Sequence, residues 1–180
     1  WIPERDGPVV LEEWQKREIL EPLFYTKGED GLRRYNLALV SMPKKNGKST
    51  LAAIAIVHEG FFGEVAGEII LAANDKEQST WVIFKKAKWA IDHNPALAGC
   101  CDITKDEIRI HKTGTVIRVI ARDYGSAAGM NPSIVVFDEL WAYEHSDAEK
   151  FFDELTTVPT RKQPLTLIVT YAGFDDADSL

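Results

Sequence analysis

Short apolar runs recur along the chain with no helical period, and polar residues follow each of them. Such compact runs are typical of strands that are buried on both faces of a parallel sheet. In chain order they are YNLALVSM, EVAGEIILAAN, SIVVFDEL and PLTLIVTYAG. A different pattern covers 106–121, where Ile108 and Ile110 alternate with polar residues and a Thr-Gly pair precedes a second apolar run. This stretch predicts an antiparallel hairpin.

The segments between these runs carry apolar residues at helical spacing. The chain from 11 to 24 predicts an amphipathic helix around Trp14, which Pro22 is expected to end or kink. Further helices are predicted at 47–62, from about 75 onward, and at 148–157. Strands that alternate with helices predict a three-layer α/β domain with a mostly parallel sheet. No repeat or linker divides the chain, so we expect one domain over 1–180.

Composition narrows the class of protein only a little. Hydrophobic residues make up 45% of the chain and charged residues 27%, which suits a substantial core with an ordinary solvated surface. The net charge of -7 argues against a domain that is basic throughout, although it allows a local basic patch. Cys100 and Cys101 are adjacent and lack zinc-site spacing, so we interpret them as reduced thiols. The longest apolar runs are too short to span a membrane.

The loop after the first apolar run is the first candidate for chemistry, and it has the sequence SMPKKNGKST. It ends like a phosphate-binding loop. In such a loop Gly47 would let the backbone come close, the Lys48 ammonium would reach the β- and γ-phosphates, and the Ser49 hydroxyl would hold Mg²⁺. Met42 stands where the full pattern has an earlier glycine. A chance Gly-Lys-Ser is the competing interpretation, and the position between a strand and a helix favours nucleotide binding.

Polar residues also end two later strands. Asp138 follows four apolar residues and is expected to be the carboxylate that holds Mg²⁺, with Glu139 as the base that polarises the attacking water. A solvated acidic turn is the competing interpretation. Adjacent Asp and Glu favour nucleotide hydrolysis over phosphoryl transfer to a metabolite. At the end of the last strand, the Thr170 hydroxyl is a candidate sensor of the γ-phosphate.

In combination these motifs resemble the ATPase domain of the large terminase subunit of tailed bacteriophages. The matching stretches are EEWQ, PKKNGKSTLAA, LAANDKEQ, GMNPSIVVFDEL and TYAG. The resemblance extends from about Trp14 to Gly173 and implies a RecA/ASCE-like P-loop NTPase fold with ATP and Mg²⁺ as cofactors. It implies a motor that drives double-stranded DNA into a prohead.

The resemblance also implies roles for single residues. Gln15 matches a glutamine that recognises adenine, with a solvated helix residue as the competing interpretation. Thr170, Ala172 and Gly173 match a coupling motif that links hydrolysis to movement. The nucleotide is expected to contact Pro43, Lys44, Lys45, Asn46, Gly47, Lys48, Ser49 and Thr50.

Several positions depart from the family pattern. Lys44 stands where relatives often have arginine, and lysine lacks the bidentate fork. Tyr171 replaces a second threonine of the coupling motif. Ala128 stands where some terminases carry an arginine finger, so Arg122 is our candidate for a catalytic finger that reaches into a neighbouring subunit. A surface arginine is the alternative for Arg122, and Arg161 is a weaker candidate for a phosphate contact.

The implied assembly is a homo-oligomeric ring, in the family a pentamer, that works with double-stranded DNA, a portal protein and a small terminase subunit. The resemblance implies no membrane partner. The resemblance implies action in the cytoplasm of the infected bacterial host and absence from the mature virion. A nuclease domain is expected beyond residue 180, and the DDAD stretch is interpreted as a linker, so no nuclease activity is expected within 1–180.

Three other functions remain open on the sequence. A helicase or other translocase core would share the phosphate loop, although the two-lobed type needs a second such domain. A small-molecule kinase would need an acceptor pocket and usually an arginine-bearing lid. A nucleotide-binding module without turnover would not need the full set of Lys48, Ser49, Asp138 and Glu139.

Overall fold

The computed structural model describes residues 2–3, 7–73, 80–121, 127–143 and 147–171, and a seven-stranded sheet forms its centre. The strands are β1 (Leu37–Ser41), β2 (Glu68–Ala73), β3 (Cys101–Ile103), β4 (Glu107–Ile110), β5 (Val116–Ala121), β6 (Ile134–Asp138) and β7 (Leu165–Thr170). Their order across the sheet is β1-β7-β6-β2-β5-β4-β3. The first five strands in this order are parallel, and β4 and β3 add an antiparallel edge.

Helices cover both faces of the sheet. They are α1 (Glu21–Tyr25), which follows a π-helical segment (Gln15–Leu20), then α2 (Lys48–Phe62), α3 (Thr80–Asp92), a 3₁₀ turn (Leu140–Ala142) and α4 (Asp147–Thr156). Within β2, Ile69 and Leu71 pack in the core on the side of α2 and α3, whereas Ile70 packs in the core on the side of α4. Because side chains alternate across a strand, burial on both faces requires an unbroken apolar run. The three-layer α/β prediction is confirmed.

The predicted hairpin is also present, with one strand more than expected. β4 pairs antiparallel with β5, and Ile108 lies opposite Ile117. The connection that contains the cysteines also forms a strand, β3, in which Cys101 pairs with Ile110. Both thiols are free, and burial, with smaller contributions from Cys100 and nearby acids, raises the pKa of Cys101 to about 11. This thiol is therefore protonated and unreactive at neutral pH.

Pro22 does not end the first helix, which continues to Tyr25. The helix widens before the proline, where the Glu21 N–H bonds to the Lys16 carbonyl five residues back. A π-type widening moves the backbone carbonyls away from their α-helical positions, which relieves the clash that a proline ring makes inside a helix. None of the helices in the described part of the chain is both long and apolar enough to cross a membrane.

Candidate nucleotide-binding and catalytic site

The sheet order brings the predicted motifs together. β7 lies between β1 and β6, so Ser41 at the end of β1 pairs with Thr170, and Asp138 at the end of β6 pairs with Val169. The carboxyl ends of these parallel strands share one edge of the sheet, which is where α/β proteins bind ligands. A cavity of about 580 Å³ opens there. Its lining includes Lys44, Lys45, Gly47, Lys48, Ser49, Thr50, Asp138 and Glu139.

The loop between β1 and α2 has a backbone shaped to hold an anion. Lys45 and Gly47 both have positive φ angles, 69° and 86°. The Asn46 side-chain amide donates hydrogen bonds to the carbonyls of Pro43 at 3.2 Å and Lys44 at 3.3 Å. These bonds close the turn without the glycine that the full pattern has. α2 begins at Lys48 with no side-chain cap and no acid in its first turn, so its first N–H groups and its dipole suit a phosphate.

A second cavity, of about 370 Å³, lies beside the loop and includes Trp14, Gln15 and Gly47 in its lining. The Gln15 side-chain oxygen accepts a hydrogen bond from the Glu12 N–H at 3.0 Å. Its nitrogen lies 3.8 Å from the position that a β-carbon on Gly47 would occupy. A pocket that combines an aromatic ring and aliphatic side chains with a side-chain amide suits a heterocyclic base. The oxygen keeps a second lone pair, so Gln15 can both donate to and accept from such a base.

Lys48 and Glu139 form an ion pair across the larger cavity, with side chains only 12% and 17% exposed. Burial lowers the pKa of the Lys48 ammonium below its ordinary value, while nearby Asp138 opposes this shift and Lys44 adds to it. The Lys48 ammonium is thus paired with the predicted base. A phosphate that binds the loop competes with Glu139 for the same cation.

Three hydrogen bonds hold the Glu139 carboxylate from the other side. Its Oε2 accepts from the Trp141 indole N–H at 2.9 Å, the Thr170 hydroxyl at 3.2 Å and the Tyr171 backbone N–H at 3.3 Å. The backbone of Glu139 is left-handed, with φ 56° and ψ 56°. The predicted coupling residue Thr170 therefore contacts the predicted base directly. The sequence analysis did not anticipate Trp141, because no motif marks it.

Tyr171 supplies an aromatic surface to the same site. The ammonium of Lys44 lies 4.5 Å from the centre of its ring and that of Lys48 lies 4.7 Å away. The Trp141 ring packs against it edge-on, with centroids 5.4 Å apart and a 70° angle between planes. Tyr171 appeared in the sequence only as a departure from a threonine. In the structure it forms cation–π contacts with Lys44 and Lys48.

The family model for the ATPase domain of the terminase large subunit matches residues 13–180. The chain belongs to this family. It is accordingly a terminase ATPase domain that uses a nucleotide, and this membership separates it from the helicase and small-molecule kinase alternatives. No curated protein sequence matches the chain.

Solved structures share the fold of this terminase ATPase domain. The crystal structure of the HK97 bacteriophage large terminase superposes with a TM-score of 0.76 and 21% identity, over 94% of this chain and 35% of that chain. Two structures of the ATPase domain of the Thermus phage P74-26 large terminase, one of them a point mutant, give TM-scores of 0.60 and 0.61. Their identities are 16% and 15%, over 88% and 89% of this chain and 70% and 71% of theirs. The chain thus spans about a third of the HK97 protein.

The donor atoms in this terminase ATPase domain suit Mg²⁺. Asp138 is only 3% exposed at the end of β6, and it lines the same cavity as Ser49 of α2. Both offer hard oxygen donors. No cluster of three or more His, Cys, Asp or Glu side chains that could hold a metal occurs among the described residues. Mg²⁺ prefers a coordination shell in which a few protein oxygens are joined by phosphate oxygens and water.

The remaining predicted positions divide into two groups. Arg122, Ala172 and Gly173 lie outside the described residues, so their roles stay predictions. Arg161 lies at the opposite end of the sheet from the phosphate loop, where it donates to the Asn131 carbonyl at 2.8 Å and pairs with a glutamate. Arg161 is therefore a structural residue and makes no phosphate contact at this site.

Proposed function

We propose that this domain hydrolyses Mg·ATP and that, within a terminase large subunit, hydrolysis powers the movement of double-stranded DNA into a prohead. The observation that carries the proposal is the convergence of Lys48, Asp138 and Glu139 on one cavity at the carboxyl ends of three parallel strands. Positioning and charge stabilisation account for most catalysis of phosphoryl transfer, and this cavity offers both.

In the proposed mechanism, the adenine enters the pocket beside Gln15, and the phosphates bind the first N–H groups of α2. Lys48 leaves Glu139 and pairs with the β- and γ-phosphates. Ser49 and Asp138 would hold Mg²⁺, which neutralises phosphate charge when bound. The Glu139 carboxylate then orients a water in line with the γ-phosphorus and accepts its proton.

A finger from a neighbouring subunit and a coupling motif complete the proposal. Arg122 from a neighbouring subunit stabilises the charge that develops on the γ-phosphate. Thr170, with Ala172 and Gly173, relays the loss of that phosphate into movement. The hydrogen bond from the Thr170 hydroxyl to Glu139 supports this relay, because a movement of the carboxylate would displace the end of β7 to which it is bonded.

The setting proposed for the domain follows from its family. The assembled protein forms a homo-oligomeric ring, a pentamer, that works with a portal protein and a small terminase subunit in the cytoplasm of the infected bacterium, and it is absent from the mature virion. Cleavage of DNA resides in a nuclease domain beyond residue 180. Mg²⁺-dependent DNA cleavage by the 180-residue chain itself would contradict this division of labour.

Replacement of Glu139 by Gln tests the hydrolytic assignment. The amide keeps the size of the side chain and cannot accept the proton, so turnover should fall by about 10²-fold or more. Calorimetric titration with Mg·ATP should show undiminished binding, because Lys48 and the loop remain. Glu107→Gln, on the far edge of the sheet, is the matched control and should hydrolyse ATP normally. Wild-type turnover by Glu139→Gln would disprove the assignment of the base.

A further inference from the structure

We propose that Trp141 is a positioning residue that fixes Glu139 by one carboxylate oxygen and thereby designates the other, Oε1, as the atom that takes the proton from the attacking water. The inference rests on the proposed hydrolytic function of Glu139. It adds a residue that no sequence motif marks, and it assigns a different role to each oxygen of the Glu139 carboxylate.

The two oxygens of Glu139 have different surroundings. Oε2 accepts from the Trp141 indole N–H at 2.9 Å and the Tyr171 N–H at 3.3 Å, and the Thr170 hydroxyl, whose single hydrogen is shared with the Tyr171 carbonyl, lies 3.2 Å away. A carboxylate oxygen has about two lone pairs, so Oε2 has no capacity left for a water proton. The contact that the described residues give to Oε1 is the Lys48 ammonium. Oε1 therefore becomes available when the phosphates draw Lys48 away.

The orientation of the Glu139 carboxylate must be held when Lys48 moves to the phosphates. A carboxylate that has lost its ammonium partner can rotate unless other groups hold it, and a rotated Glu139 would no longer present a fixed oxygen to the water. The hydrogen bonds to Oε2 oppose that rotation. Of these three donors, the indole is the closest and is rigid, whereas the Thr170 hydroxyl also bonds to the Tyr171 carbonyl at 3.1 Å.

The local backbone explains why a residue two positions after Glu139 can reach it. The left-handed conformation of Glu139 turns the chain sharply at the end of β6, and the Ala142 N–H closes the turn on the Glu139 carbonyl at 2.9 Å. The 3₁₀ turn then directs the Trp141 ring back over the carboxylate. The ring is braced edge-on by Tyr171. Such bracing limits the conformational freedom of the indole and favours one orientation of the base.

The first test measures the hydrogen bond itself. In ¹⁵N-correlated NMR spectra of the isotope-labelled protein, the Trp141 indole resonance is assigned by its absence from Trp141→Phe. We expect that resonance to move in Glu139→Ala, because the charged acceptor is lost, and to keep its bonded position when Mg·ADP is added to the wild type. An indole resonance that is unaffected by Glu139→Ala overturns the proposal, whether or not the protein turns over ATP.

The second test measures catalysis with matched variants. Trp141→Phe keeps a ring and removes the donor, so kcat should fall by about 10- to 100-fold with KM unchanged. Trp141→His places an N–H at a similar distance from the backbone and should recover most of the rate. Trp89→Phe, whose ring stacks on His93 at the far end of α3, is the control and should match the wild type.

The outcomes separate this inference from the proposed function. Normal turnover by Trp141→Phe, or no recovery with Trp141→His, overturns the positioning role. Normal turnover by Glu139→Gln instead overturns the hydrolytic assignment. A rise in KM with unchanged kcat in Trp141→Phe would make the residue part of the binding surface and would also contradict the proposal.

Discussion

Two non-glycine residues that line the candidate cavity have a left-handed backbone. Lys45 in the phosphate loop and Glu139 after β6 both have positive φ angles although they are not glycines. Such conformations persist where the surroundings determine them strongly, and they concentrate at functional sites. Here the hydrogen bonds of Asn46 hold the loop, and those of Trp141 and Thr170 hold Glu139.

Adding a side chain at Gly47 and removing one at Lys45 should have different effects on the free energy of unfolding. In Gly47→Ala the free energy of unfolding should fall by about 1 to 2 kcal/mol, because φ is 86° and a side chain disfavours that region. No clash contributes, since the nearest atom to the new β-carbon is 3.8 Å away. Lys45→Gly should leave stability unchanged or raise it slightly. Urea denaturation measures both, and an equal loss in the two variants would contradict the strain argument.

His58 introduces a pH dependence of stability. Burial among Phe24 and Phe62 lowers the pKa of this imidazole, with Glu59 opposing the shift and Arg33 adding to it. The unfolded chain, with its ordinary value of 6.5, takes up a proton at a pH where the folded protein stays neutral. The free energy of unfolding should therefore decline as pH falls below about 6.5. His58→Gln should flatten this slope in denaturation curves between pH 7 and 5, and a persisting slope would assign it to other groups.

At the level of elements, one buried ion pair ties three parts of the chain together. The Arg33 guanidinium bonds to Glu59 of α2 at 2.9 Å, with side chains only 7% and 6% exposed. The Arg33 backbone N–H bonds to the Gln163 side chain, just before β7, at 2.9 Å. The guanidinium also lies over the ring of Phe24 in α1, at 5.4 Å. The pair thus fixes α1 and α2 against the amino ends of the strands.

Replacing one member of this ion pair should lower the free energy of unfolding more than replacing both members. Arg33→Met leaves Glu59 charged and buried, and the free energy of unfolding should fall by about 3 to 5 kcal/mol. The double variant Arg33→Met, Glu59→Met should recover a large part of that loss, because no charge is left buried. Thermal denaturation of the two single variants and the double variant measures the difference. Additive losses would indicate that the two side chains act independently.

At the scale of the whole molecule, the topology explains why the sequence predicted some features and not others. The strands were predictable because burial on both faces forces continuous apolar runs, as in β2 and β6. The convergence of the loop and the acids followed from parallel strands that end at one edge. The insertion of β7 between β1 and β6 was not predictable, because crossovers leave no local pattern.

Contacts that form only in the folded chain were also missed, because the local sequence pattern does not record them. Tyr171 contacts Lys44 and Lys48 across a chain separation that no periodicity records. Trp141 is close to Glu139 in the chain, and its bond depends on the left-handed turn at Glu139, which the sequence does not indicate. The short strand β3 carries only three residues, too few for an alternating pattern. The helix through Pro22 depended on the π-helical segment before it, which propensity alone does not indicate.

The assembled state supplies the last prediction. If Arg122 acts in a neighbouring subunit, the ATPase rate per subunit should rise with protein concentration, and Arg122→Ala should remove that rise. Arg109→Ala, an exposed substitution on β4 at the far edge of the sheet, is the control and should keep the wild-type dependence. Steady-state ATPase assays across a dilution series measure it. A rate per subunit that is independent of concentration would place any finger within the same chain.

The position of β7 has a mechanical consequence. Along its length β7 is hydrogen-bonded to β1 on one side and to β6 on the other, and its Thr170 end touches Glu139. A load applied along this strand acts in shear, so the bonds of both ladders resist it together instead of opening one by one. The strand should therefore resist stretching, with the proposed base Glu139 at one end and Leu165 at the other, and a small displacement of one end should be transmitted to the other.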